Sequence, residues 1–116
     1  MVVLHPPAEV EVDASRRYIA ANQAACELLG YTHEELLNMT IDDISFPSGA
    51  HVFPLFTKFL EDGRMRGIFA LRRKSGEGIM VRFDSHSRDG RWLATWTHYE
   101  PLGSNGDYSA VGEAGL

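Results

Sequence analysis

The stretch RYIAANQAACELLGYTHEELLNMTIDDI, residues 17–44, decides how the whole chain is to be read. It runs as a strand into three short helices, with punctuation at each junction. Asn22 suits an N-cap, because its side-chain oxygen can accept from the free N–H groups of the turn that follows. Gly30 stands where a helix closes on a left-handed residue. These two bracket a helix over residues 23–29. Thr32 with Glu35 is a capping box, and Tyr31 before it can pack on Leu36 as a hydrophobic staple. Met39, Thr40, Asp43 and Ile44 repeat the arrangement. The result is a compact, sharply turning helical patch whose Ala25, Leu28, Leu29, Leu36, Leu37, Ile41 and Ile44 must be buried against something else.

On the N-terminal side, Met1, Val2, Val3 and Leu4 are apolar, and His5-Pro6-Pro7 forces extended backbone, since each proline fixes its own φ and restricts its predecessor. Residues 1–8 read as a flank outside the core. Val10 and Val12 alternate with Glu9 and Glu11, residues 13–16 are turn-like, and residues 18–21 resume as extended chain, which predicts a short hairpin with one wet face. Beyond the helical patch, residues 46–49 form a loop. Val52, Leu55, Phe56, Phe59 and Leu60 then recur at helical spacing up to Asp62-Gly63, with Pro54 near the first turn of that longer helix.

In the last third the period changes from that of a helix to that of a strand. Residues 68–74, 79–87 and 92–99 are rich in aromatic and branched side chains and are separated by Ser75-Gly76-Glu77-Gly78 and Asp89-Gly90. A two-residue turn at Asp89-Gly90 sets Arg88 opposite Arg91, and pairs Ser85 with Ala94, Phe83 with Trp96 and Val81 with His98 on one face. A three-residue loop at residues 75–77 sets Leu71 opposite Val81 and Phe69 opposite Phe83. The inner surface is then Phe69, Leu71, Val81, Phe83, Ala94 and Trp96. The other face carries Ile68, Ala70, Met80, Arg82, Asp84, His86, Leu93, Thr95, Thr97 and Tyr99, a mixed set. Strand, strand, helices, strand, strand, strand is the order of an α+β domain: one antiparallel sheet with short helices and one longer helix on a single face. Residues 103–116, poor in apolar anchors, read as a flexible tail.

Composition narrows the function classes. A chain of 116 residues suits one domain and buries roughly two-thirds of its unfolded surface, so a core needs no staples. Eleven Lys and Arg against 16 Asp and Glu give a formal net charge of −5, without the basic excess of a nucleic-acid or anionic-membrane binder. Cys26 is the single cysteine, which excludes an internal disulfide and a cysteine-based zinc site and fits a reducing compartment. No apolar run reaches the ~20 residues of a membrane span, and the N-terminus lacks the pattern of a signal peptide. A soluble, cytoplasmic protein is expected.

The run I-x-A-N-x-A-A-C-x-L-L-G-Y-T-x-E-E-L-L-x-x-x-I-x-D-I, from Ile19 through Asn22, Cys26, Gly30, Tyr31, Thr32 and Glu35 to Ile41, Asp43 and Ile44, resembles the opening half of a PAS domain. The likeness extends more loosely over residues 9–102, where it rests on the order of elements. It implies a five-stranded antiparallel sheet of order 2-1-5-4-3 and a cavity between sheet and helices. The lining implied there is Leu28, Leu37, Ile41, Phe56 and Phe59 from the helical side, with Phe69, Leu71, Val81, Phe83, Ser85, Trp96 and His98 from the sheet. Either the cavity takes a small apolar or partly polar ligand, or these side chains simply fill it.

Other chemistries fit less well. Light-sensing PAS relatives carry a flavin-reactive cysteine after the short helices, beside an Asn-Cys-Arg pattern, and residues 44–55 supply neither, so no flavin is expected. Cys26 has no basic neighbour in sequence to stabilise a thiolate and reads as inert. His51 lies near the axial histidine of haem-binding PAS domains, but an exposed loop histidine is the preferred reading and haem is not expected. No metal site is read. His98, pointed inward by the register, needs a hydrogen-bond partner or a ligand. A Ser85, His98 and Asp84 triad is excluded by alternation, which sends Asp84 to the opposite face, and no enzyme is expected.

The function that follows is a sensory or signal-transduction module that binds a small molecule or a partner and relays the event to a histidine kinase, cyclase or other effector outside this chain. The alternative is a ligand-free homodimerisation or docking module. Where many PAS domains end in Asp-Ile-Thr, coupling the sheet to an output helix, this chain has Tyr99-Glu100-Pro101-Leu102. The outer sheet face is expected to be an interface through Leu4, Ile68, Met80, Leu93 and Tyr99, with a homodimer favoured because PAS-like domains often pair through this surface and their N-terminal flank.

Overall fold

The structure, a computed structural model, describes residues 1–45 and 62–102. Five strands, β1 (Val2–Val12), β2 (Tyr18–Ala21), β3 (Arg64–Arg72), β4 (Gly78–Arg88) and β5 (Arg91–Pro101), form one antiparallel sheet of order β2-β1-β5-β4-β3. This is the order the resemblance implies. Between β2 and β3 lie the short helices α1 (Gln23–Leu29), α2 (His33–Leu36) and α3 (Ile41–Ile44). The longer helix expected over residues 52–60, with Phe56, Phe59 and His51, lies outside the described residues, as does the 103–116 tail.

Each helix starts where the local chemistry demands. Asn22 Oδ1 accepts from the Ala25 amide at 3.0 Å, and Gly30, at φ +84°, donates to the Cys26 carbonyl at 2.8 Å. Thr32 and Glu35 close one capping box, and Thr40 and Asp43 close the other. Asn22 also fastens the helix to the sheet: Oδ1 accepts from the Glu9 amide at 3.0 Å and Nδ2 donates to the Pro7 carbonyl at 3.1 Å. The patch is sewn to the β1–β2 turn by a two-pronged ion pair, Arg16 Nε to Asp42 Oδ1 at 2.8 Å and Nη2 to Oδ2 at 3.1 Å. Its apolar residues meet Val10, Val12, Tyr18, Leu71, Ile79, Val81, Phe83 and Trp96 in one core.

Three details of the sheet correct the sequence reading. First, residues 2–7 are not a flank: β1 begins at Val2, with Val2 opposite Tyr99 and Val3 opposite His98, and resumes regular pairing at Ala8 after an irregularity. Second, the β3–β4 loop closes one residue earlier than read. The Arg73 amide donates to the Glu77 carbonyl at 2.8 Å, and Gly76 takes the left-handed position at φ +96°. Leu71 therefore faces Ile79 and Phe69 faces Val81, a shift of two residues that preserves which face each occupies. Third, the β4–β5 ladder slips. The Asp89-Gly90 turn has positive φ at both residues and pairs Arg88 with Arg91, Ser85 with Ala94 and Phe83 with Trp96, as read. Beyond Phe83 a bulge intervenes, so Arg82 faces His98 and Val81 faces Tyr99.

Candidate functional site

The bulge at Thr97 exchanges the roles of two residues. His98, expected in the core, stands on the outer face beside Arg82, half-buried, and its Nδ1 shares a 2.9 Å hydrogen bond with the Thr97 hydroxyl. Tyr99, expected outside, shares the inner face with Val81 and packs on the core, with the Arg73 guanidinium 6.0 Å from its ring centroid. Period-two alternation holds only while the ladder is regular, and one extra residue inverts it. Ser85, Asp84 and His98 do not meet: Ser85 is fully buried and donates to the Met65 carbonyl at 3.1 Å, while the other two lie outside.

On the inner face of the sheet a small space of about 20 Å³ is lined by Val10, Tyr18, Ile41, Phe69, Leu71, Phe83, Trp92, Ala94 and Trp96. That is the room of about one water. Of the expected lining, Ile41, Phe69, Leu71, Phe83 and Trp96 are on this wall, while Leu28, Val81 and Ser85 are buried away from it. Leu37 is corrected: it is the half-buried C-cap of α2, and Leu36 takes the buried place. Sequence reasoning missed Tyr18 and Trp92. The bulge between Glu11 and Val12 in the β1–β2 pairing, which turns Tyr18 inward opposite Val12, has no mark in the residue pattern.

Tyr18 is 2% exposed, and burial, then the carboxylates of Asp43 and Asp42, push its phenol above the ordinary tyrosine range. It stays an O–H donor. In the unfolded chain the phenol ionises near pH 10 and in the folded chain it does not, so its share of stability is full below about pH 10 and declines as pH rises further. Tyr18→Phe should therefore lose less melting temperature than the parent between about pH 9 and pH 11. Parallel declines would show that the buried phenol is not the cause. Burial, with Glu27 adding to it, likewise raises the Cys26 thiol, which disfavours thiolate chemistry. Among the described residues no cluster of three or more His, Cys, Asp or Glu is placed to hold a metal ion.

The outer face departs from the expected interface at one position besides Tyr99. Leu4 packs against the core rather than outward, whereas Ile68, Met80 and Leu93 do lie outside, all half-buried. Among the described residues the most exposed large apolar side chains are Val3 at 63% and Val2 at 51%, with Met1 and Ile19 behind them. An open groove of about 540 Å³ crosses the β2–β1–β5 part of the outer face, and a second of about 320 Å³ lies over β3 and β4 between Arg66 and Arg82. Among the described residues no helix is long and apolar enough to cross a membrane.

Comparison with known proteins agrees with this architecture. The sequence profile of the PAS domain matches residues 8–90. No curated protein sequence matches the chain. Among solved structures, a domain of the sensory box sensor histidine kinase/response regulator from Geobacter sulfurreducens superposes with TM-score 0.69 at 22% identity, over 79% of this chain and 82% of that one. The PAS domain of the Cronobacter turicensis quorum-sensing receptor RpfR, solved in complex with BDSF, gives 0.67 at 14% identity over 78% and 91%. The Rhodobacter sphaeroides LOV protein gives 0.66 at 18% over 88% and 63%. At such identities the likeness speaks of the fold.

Proposed function

Because the chain belongs to the PAS domain family, we propose that it is the sensory and relay unit of a signalling protein and that it works by docking through its outer sheet face. The effector, a histidine kinase, cyclase or other domain, lies outside this chain. The observation that carries the docking reading is the outer face, which keeps Ile68, Met80, Leu93 and the exposed Val3 where a sheet left to water alternates to polar. With Cys26 as the sole cysteine, a reducing cytoplasmic setting belongs to the same proposal.

A second reading, a small-molecule sensor, is favoured by one observation: the buried Tyr18, whose phenol keeps its proton, stands on the wall of the small inner space among apolar side chains. RpfR, with its PAS domain solved in complex with BDSF, is an instance of a ligand-holding relative by fold. Native beside denaturing mass spectrometry of the purified chain separates the two. Docking predicts that no small molecule is released on denaturation, and a stoichiometric ligand overturns it in favour of the sensor.

A further inference from the structure

Three elements meet at the guanidinium of Arg73. Its Nε donates to the Leu28 carbonyl at 2.7 Å, in the last turn of α1. Its Nη1 donates to Glu77 Oε1, also at 2.7 Å, across the β3–β4 loop. Its central carbon stands 6.0 Å from the ring centroid of Tyr99, near the end of β5, within the range at which a cation is drawn to an aromatic face. Tyr99 is half-buried against the core, so water weakens that attraction less than it would on an open surface. Backbone bonds complete the corner. The Lys74 amide donates to the Leu29 carbonyl at 2.9 Å and the Arg73 amide to the Glu77 carbonyl at 2.8 Å. The Leu102 amide donates to the carbonyl of Gly78, next to Glu77, at 2.9 Å, which ties down the point where the chain leaves the sheet.

From this we infer that Arg73 is a positioning residue that couples the helical layer to the end of β5, so that a displacement of α1 is felt where residues 103–116 begin. The inference rests on the relay reading above and deepens it by naming the route. A guanidinium is planar, with its donors in a fixed fork, so the three engagements cannot be adjusted one at a time. Leu28 and Leu29 are buried in the core, while their carbonyls stand at the end of α1, where the helix itself supplies no donor. A change in the packing beneath α1 therefore moves the very carbonyl that Arg73 holds. When that carbonyl withdraws, the fork turns with it, and its hold on Glu77 and on the Tyr99 ring loosens. Glu77 leads straight into Gly78 and its bond from Leu102, so both arms of the fork end at the same exit. The reverse holds too: a change at the end of β5 reaches α1 with the same coupling, because linkage is reciprocal. Lys74 does not share this role, since its Nζ joins Glu35 of α2 rather than β5.

The test is hydrogen exchange at single amides, followed by nuclear magnetic resonance, with circular dichroism to show that each variant is folded. Lys74 reports the helical side and Leu102 the exit. The Ile41 amide, bonded to the Arg16 carbonyl at 2.9 Å beside the β1–β2 turn, is the reference for any general loss of stability. Arg73→Met should speed exchange at both Lys74 and Leu102 by at least about threefold relative to Ile41. Tyr99→Leu should speed Lys74 by a similar factor, although that bond does not involve Tyr99. The double variant should fall short of the product of the two effects, since both act on one contact. Lys74→Met should leave Leu102 within about twofold of the parent. An unmoved Leu102 in Arg73→Met overturns the inference, and so do equal accelerations at all three amides or a double variant that multiplies. Should Tyr99→Leu fail to fold, the response of Leu102 to Arg73→Met decides alone. The relay reading is tested separately by the same data. If Tyr99→Leu moves Lys74 while Arg73→Met leaves Leu102 still, helical layer and exit communicate by another path and only the route through Arg73 falls. If neither variant moves the far amide, the two are uncoupled and the relay reading loses this exit as well.

Discussion

Replacing Phe83 with alanine is expected to cost about 3 to 5 kcal/mol of folding stability, against within about ±0.5 kcal/mol for its neighbour Arg82, measured by urea denaturation at a concentration too low for self-association. Phe83 is 6% exposed, faces Trp96 across the ladder, and meets Phe69 edge-to-face with ring centroids 6.5 Å apart. Removing its ring takes away transfer energy and leaves a cavity in the layer that joins sheet to helices. Arg82, one residue earlier, is exposed on the other face and makes no ion pair among the described residues, so truncation there removes little that the monomer uses. Adjacent residues with opposite fates are the signature of the register. Comparable losses at both positions would mean that β4 does not alternate as described.

How much of this was legible in the sequence depends on the range of the interaction that decides each element. Helix caps are settled within four residues. Asn22, Gly30 and the Thr32 and Thr40 boxes could therefore be read directly, and α1 has the bounds expected for it. Asp89-Gly90 is equally local, because a two-residue hairpin turn needs positive φ at both positions and few other pairs accept it. The loop at residues 73–77 was harder. A three-residue loop fits at 74–76 or one residue later at 75–77, and choosing between them moves the ladder by two.

What stayed hidden is non-local. The bulge that turns His98 outward and Tyr99 inward is an accommodation between β4, β5 and the start of β1, which pairs with those same two residues. No spacing of apolar residues in β5 announces it. Val2 and Val3 join the sheet for the same reason: the proline pair predicts extended chain, but only β5 supplies the ladder that makes it a strand. The candidate site inherits these limits. Its aromatic wall was readable from alternation, whereas Tyr18 depended on a bulge in the β1–β2 pairing.

The second large effect is expected at Arg73, a residue whose role no motif suggests. Its Nε donates to the Leu28 carbonyl at 2.7 Å, at the C-terminal end of α1, while Nη1 donates to Glu77 at 2.7 Å. The next residue, Lys74, donates its amide to the Leu29 carbonyl at 2.9 Å. The last carbonyls of a helix have no partner within the helix, and a cation is favoured there by the helix dipole. The β3–β4 loop therefore clasps α1 and holds the helical layer at one corner of the sheet. Arg73→Met keeps the apolar stem but leaves the Leu28 carbonyl without its charged donor, which should cost about 1.5 to 3 kcal/mol, nearer the lower figure because the side chain is 30% exposed. Lys74→Met is the control. Its Nζ pairs with Glu35 at 2.6 Å between two side chains that are 54% and 40% exposed, so water screens the pair and the backbone bond to Leu29 survives the substitution. Arg73→Met should also speed hydrogen exchange at the Lys74 amide, since the clasp that shields it loosens. A loss of stability no greater than that of Lys74→Met, with the amide still protected, would show that the backbone bond alone holds the loop to the helix.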